Sequence, residues 1–118
     1  MNFTDLEKLV LDWAKDKDLL HEENADKQFM KFIEEVFEFK TEFDLKEARW
    51  YLGQDFDDVF NSMKTEMGDI FVTLIILCKQ LGIKPAECLK LAYKKISKRK
   101  GKTINGVFVK EEDLGVEE

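Results

Sequence analysis

The chain has only two cysteines, no excess of positive charge, no apolar run long enough to cross a bilayer, and no internal repeat or low-complexity linker. Each shortage removes a class of protein. Cys78 and Cys88 stand among apolar residues in helical patterns and form no C-x-x-C pair, so both read as reduced core thiols of a cytoplasmic protein. With 19 Lys and Arg against 25 Asp and Glu, the net charge of −6 repels a phosphate backbone, and no stable nucleic-acid partner is expected. The longest apolar stretch, Ile70 to Cys78, is broken only by Thr73 and is well short of the roughly 20 residues a membrane helix needs. MNFTDLEKLV carries acids early and lacks a basic segment followed by an apolar core, so no secretory signal is expected.

What remains suits one globular domain over residues 1–118. The composition is 44% hydrophobic, with ten Phe to supply core volume. Thr4 and Glu7 have capping-box spacing, and Leu6, Leu9, Val10, Trp13, Leu19 and Leu20 continue a helical stripe to about Leu20. After the polar link HEEN, a second helix is expected from about Ala25 to Ala48. Its Phe29, Met30, Phe32, Ile33, Val36, Phe37, Phe39 and Phe43 cover about half the circumference at roughly 100° per residue. A third helix should start near Asp57 or Asp58, either of which can cap it, and stop at Leu81-Gly82. Pro85 suits the first turn of a fourth, running to about Lys98. Asn105-Gly106 between β-prone runs signals a type I′ hairpin, and the acidic residues 111–118 should fray. The expected architecture is all-α, a four-helix bundle-like fold with a short C-terminal β-hairpin or extended tail.

The apolar run of the third helix is preceded by acids, in Glu66-Met67-Gly68-Asp69. An unpaired carboxylate in an apolar setting is costly and normally finds a partner. Helix two offers one in Glu34-Glu35-Val36-Phe37-Glu38. Residues three apart share a helix face, so Glu35 with Glu38 and Glu66 with Asp69 could gather four carboxylates around one point. A hard divalent cation turns their repulsion into attraction, and Mg²⁺ takes oxygen ligands while keeping waters that a phosphate can replace. Ordinary solvation competes as an explanation. Glu34, Glu35, Glu38 and Glu42 fall opposite the Phe stripe, where Lys31 could pair with Glu34 or Glu35 at the surface.

E-E-x-x-E on one helix followed by E-x-x-D on the next, with 27 residues between, resembles the signature of the MazG-like family of all-α nucleoside triphosphate pyrophosphohydrolases, small bacterial and phage-borne members in particular. The likeness extends to Trp13 with KDKDLL, to QFMKFIEE, to GDIFVTLIIL and to RKGKTINGVFVKEED, and so covers most of the chain. It implies cleavage of a nucleoside triphosphate between its α and β phosphates, giving the monophosphate and pyrophosphate. It also implies Glu35, Glu38, Glu66 and Asp69 as ligands of Mg²⁺, with Mn²⁺ as the alternative, and Glu34 and Glu38 as catalytic carboxylates. Lys95 and Arg99 match the family's basic pair on the last helix, and Lys31 lies beside the acids as a further substrate contact. The resemblance implies a homodimer or homotetramer. Two positions depart from the pattern: Phe37 stands where relatives carry glycine, and Tyr93 where they often carry asparagine. Two other functions are compatible with the sequence. One is a non-catalytic helical interaction module; the other is the same site acting on phosphoribosyl-ATP or an alarmone.

Overall fold

A computed structural model describes residues 1–114. The fold is all-α and bundle-like, 74% helical, with four helices and a short two-stranded antiparallel hairpin near the C-terminus. The chain forms two compact units, Met1–Ile83 and the segment from Lys84 onward.

The first unit holds α1 (Phe3–Asp16), α2 (Ala25–Tyr51) and α3 (Asp57–Leu81). Asn2, not Thr4, caps α1. Its side chain accepts the Asp5 N–H at 2.8 Å while the Asp5 carboxylate accepts the Asn2 N–H, a capping box two residues upstream of the expected one. The helix also stops short of Leu20. Asp18 adopts φ 58°, and the N–H groups of Asp18 and Leu19 close back onto Lys15 and Ala14. Aspartate is among the few side chains that tolerate this left-handed conformation, so the stop carries no glycine to announce it. The HEEN link contains a 3₁₀ turn, Glu22–Asn24.

Gly53 (φ 70°) ends α2 three residues beyond the expected Ala48, and Gly82 (φ 73°) ends α3 where expected. Both closures take the same form. The residue after each glycine bonds back to the fifth residue before it, Gln54 to Arg49 and Ile83 to Cys78. Asp55, not Asp57 or Asp58, serves the start of α3, its side chain accepting the Asp57 N–H at 3.0 Å.

In this unit α3 packs along α2 and against α1. Ala14, Val59, Ile75, Ile76 and Cys78 form the buried core. Each large aliphatic among them stabilises the unit by about 1.5–3 kcal/mol through loss of apolar surface to water. Two amides, the buried Gln80 and the half-buried Gln28, fix the helices laterally. Gln80 donates to the Leu19 carbonyl at 2.8 Å, and Gln28 donates to the Thr73 carbonyl at 3.1 Å. At the other end Arg49 meets Asp58 at 2.6 Å across the α2–α3 turn.

The burial of α2 departs from the Phe stripe. Phe29, Met30 and Phe37 are 48%, 62% and 67% exposed, whereas Glu35 is only 7% exposed. Phe37 therefore fills no core in this unit. The apolar run on α3 is largely covered, with Phe71 the side chain left 45% exposed.

The second unit begins with α4 (Pro85–Ile96), which stops two residues before the expected Lys98. Cys88 is exposed and so is not a core thiol. Strands β1 (Gly101–Ile104) and β2 (Val107–Lys110) pair antiparallel. Asn105 and Gly106 both take positive φ (52° and 79°), as a type I′ turn requires. Glu111–Asp113, expected to fray, form a 3₁₀ turn anchored by the Glu111 N–H on the Lys100 carbonyl at 2.7 Å. The rest of the expected fraying, residues 115–118, lies outside the described residues.

Candidate metal centre

Three of the four expected ligands converge. Glu35 and Glu38 from α2 and Glu66 from α3 each place one carboxylate oxygen within 4.8 Å of the others. Helix geometry explains the convergence. Glu35 and Glu38 lie three apart on one face of α2, and the close packing of α3 brings Glu66 alongside. Their environments differ: Glu35 is buried, Glu66 half-buried and Glu38 exposed. Asp69 stands outside this set. It lines a cavity of about 260 Å³ beside it, together with Trp13, Gln28, Lys31, Glu35 and Thr73.

The oxygens Glu35 Oε2 and Glu66 Oε2 are buried and have no hydrogen-bond partner. A buried carboxylate oxygen without a donor is expensive. Here two occur in one cluster of like-charged groups, which suits a hard cation better than any side chain present. The electrostatics agree. A hydrogen bond shared with Glu35, the charge of Glu35, burial, and the charges of Glu66 and Glu34 hold the Glu38 carboxyl above the usual glutamate range. A shared proton is one response of packed carboxylates to their own repulsion, and a divalent ion is another.

The chain matches no family model, no curated protein and no solved structure.

The remaining candidates are placed as follows. Glu34 is exposed and pairs with Lys31 at 3.4 Å, outside the carboxylate set. Lys31 also reaches Glu35 at 3.2 Å, and hydrogen bonding to Glu35 with the charge of Glu34 raises the affinity of its amine for the proton. Lys95 and Arg99 belong to the second unit. Because α4 ends at Ile96, their spacing of four residues does not put them on one helix face. Arg99 instead lines a cleft of about 470 Å³ with Lys98, Lys100, Lys110, Glu111 and Glu112. Trp13 forms a wall of the carboxylate cavity, while Trp50 and Tyr51 are 64% and 84% exposed.

Sequence reasoning missed Gln28 and Thr73. Both line the cavity, and the Gln28 amide is held by the Thr73 carbonyl. The signal was there: Gln28 is two helical turns before Glu35, and Thr73 one turn after Asp69.

Proposed function

We propose that this chain is a Mg²⁺-dependent nucleoside triphosphate pyrophosphohydrolase that cleaves the bond between the α and β phosphates, with Mn²⁺ able to replace Mg²⁺. The observation that carries the proposal is the pair of buried, unpartnered oxygens on Glu35 and Glu66, in a three-carboxylate cluster that opens beside a cavity. The order of acids along the sequence, with its resemblance to the MazG-like pattern, supports the choice of reaction.

Glu35, Glu38 and Glu66 would hold the cation, with Asp69 at the cavity edge as the fourth acid. A bound Mg²⁺ supplies neutralising charge for the polyphosphate and makes water easier to deprotonate. The protein's own groups do the rest. Lys31, on the wall of the cavity, supplies positive charge for phosphate oxygens. A water oxygen bonds to the α phosphorus as the bridging oxygen to the β phosphorus departs with pyrophosphate. The proton released by that water passes to a carboxylate. Glu34, exposed and outside the carboxylate set, is suited to take it, and Glu38 is the alternative where it does not hold the cation.

Exposed apolar side chains support self-association as a homodimer or homotetramer. Leu89, Leu91 and Tyr93 on α4 are 71%, 62% and 60% exposed, and Phe37 and Met30 on α2 are comparably bare. Apolar faces of this kind are characteristic of obligate interfaces.

A panel of NTPs and dNTPs incubated with protein and Mg²⁺ tests the proposal, with the species assayed by sedimentation beforehand. Pyrophosphate and a monophosphate are the expected products. Inorganic phosphate as the primary product would contradict the assigned bond. No product from any ordinary nucleotide, phosphoribosyl-ATP or alarmone would remove the enzymatic assignment and leave a helical interaction module.

A further inference from the structure

The Lys31 ammonium lies 3.2 Å from Glu35 Oε1 and 3.4 Å from Glu34 Oε2. Among the described residues it is the one cation within ion-pair distance of a carboxylate in the cluster. Helix stabilisation explains this contact poorly. Lysine preceding glutamate by four residues is the weaker orientation of a pair that adds little even in the better one. Glu34 alone would satisfy Lys31 at the surface, yet the ammonium also reaches inward to a buried carboxylate. Its side chain is 50% exposed, on a flexible four-carbon stem, so the head can move without disturbing the core. The same side chain borders the cavity lined by Trp13, Gln28 and Asp69. One mobile positive charge thus adjoins both the carboxylates and the space beside them.

We propose that Lys31 is an exchangeable counter-ion: it neutralises Glu35 while no divalent cation is bound, gives that carboxylate up when one binds, and then pairs with a phosphate oxygen of a polyphosphate in the adjoining cavity. This rests on the metal and substrate assignment above. A divalent cation sharing Glu35 repels the ammonium, and a phosphate oxygen gives the displaced charge a new partner. The coupling is reciprocal by linkage. Cation binding frees Lys31 for phosphate, and capture of Lys31 by phosphate frees Glu35 for the cation. Each ligand therefore strengthens the other through this one side chain, in addition to their direct attraction.

Two affinities, measured by calorimetry on the wild type, Lys31→Met, Lys31→Gln and Lys31→Arg, test the exchange. The first is for Mn²⁺ without nucleotide. The second is for an α,β-methylene nucleoside triphosphate, which resists cleavage at that bond, at saturating Mn²⁺. Both neutral variants should bind Mn²⁺ about five-fold more tightly, the effect of removing one partly screened charge. They should bind the analogue about ten-fold more weakly, having lost a charge-assisted contact. Lys31→Arg keeps the charge and should stay near the wild type in both. A merely structural role would weaken both affinities together, and that result overturns the exchange. So does unchanged Mn²⁺ affinity in folded neutral variants, which leaves the metal assignment standing if the wild type binds Mn²⁺. A wild type that binds no Mn²⁺ overturns both.

Discussion

Glu66→Gln is expected to cut Mg²⁺-dependent turnover by about 100-fold or more, the scale of losing a main electrostatic stabiliser of the transition state. The same variant should make the metal-free protein more stable. Of the acids on α3, Glu66 is the one that joins the cluster with Glu35 and Glu38, and its Oε2 is buried without a donor. A neutral amide of the same shape ends the repulsion and offers an N–H to its neighbours. Relief of one unsatisfied, like-charged contact is worth about 1–2 kcal/mol. For a chain of this length that is a rise of about 3–8 °C in melting temperature. The wild type should behave in the opposite way and gain stability on adding Mg²⁺, by about 2.7 kcal/mol at a hundred times the dissociation constant. Rates of pyrophosphate release check the turnover, and melting curves of both proteins with and without Mg²⁺ check the stabilities. Purely structural carboxylates predict the reverse pattern: loss of stability in Glu66→Gln and no response to Mg²⁺ in either protein.

The convergence of Glu35, Glu38 and Glu66 was legible because it needs only helical spacing and two adjacent helices. So were the glycine stop at Gly82, the proline start at Pro85 and the Asn105-Gly106 turn, each of which rests on a local backbone preference. What escaped depends on less local physics. Asp18 ends α1 in a conformation that sequence patterns reserve for glycine, so the stripe ran on to Leu20. Asn2 and Thr4 both begin capping boxes, and spacing alone does not choose between them. The rotation of α2 was the most consequential miss. Eight apolar residues spread over half a helix leave its setting about its own axis poorly defined. The wheel put Glu35 on the solvated side, whereas packing against α3 buries it and leaves Phe37 exposed. The resemblance named Glu35, Glu38 and Glu66, which converge, and also Asp69, which stands outside their cluster. It did not reveal that Arg99 lies past the end of α4, because a helix end at Ile96 has no sequence marker before Gly101.

Divalent affinity should fall steeply on acidification, by up to about ten-fold per pH unit once each cation bound must displace one proton. The group responsible is Glu38. Its carboxyl binds a proton more tightly in the folded chain than in the unfolded one, chiefly through the hydrogen bond shared with Glu35. The metal-free protein and the cation therefore respond to pH with opposite signs. Between the ordinary glutamate value and the raised one, the native state holds more protons than the unfolded state. The contribution of Glu38 to metal-free stability is thus fully present below the ordinary value and lost as pH rises through the raised one. A cation needs the deprotonated form, so its affinity rises through the same window and levels off above it. The gap between melting temperatures with and without Mn²⁺ should consequently widen with pH and then become constant. Titrations across about pH 4 to 8, the range that brackets a raised carboxyl, read both curves. Glu38→Gln should flatten the dependence and weaken binding at its upper end. Affinity that does not change with pH in the wild type would mean that Glu38 yields no proton to the metal, and with that the three carboxylates could not act as one site.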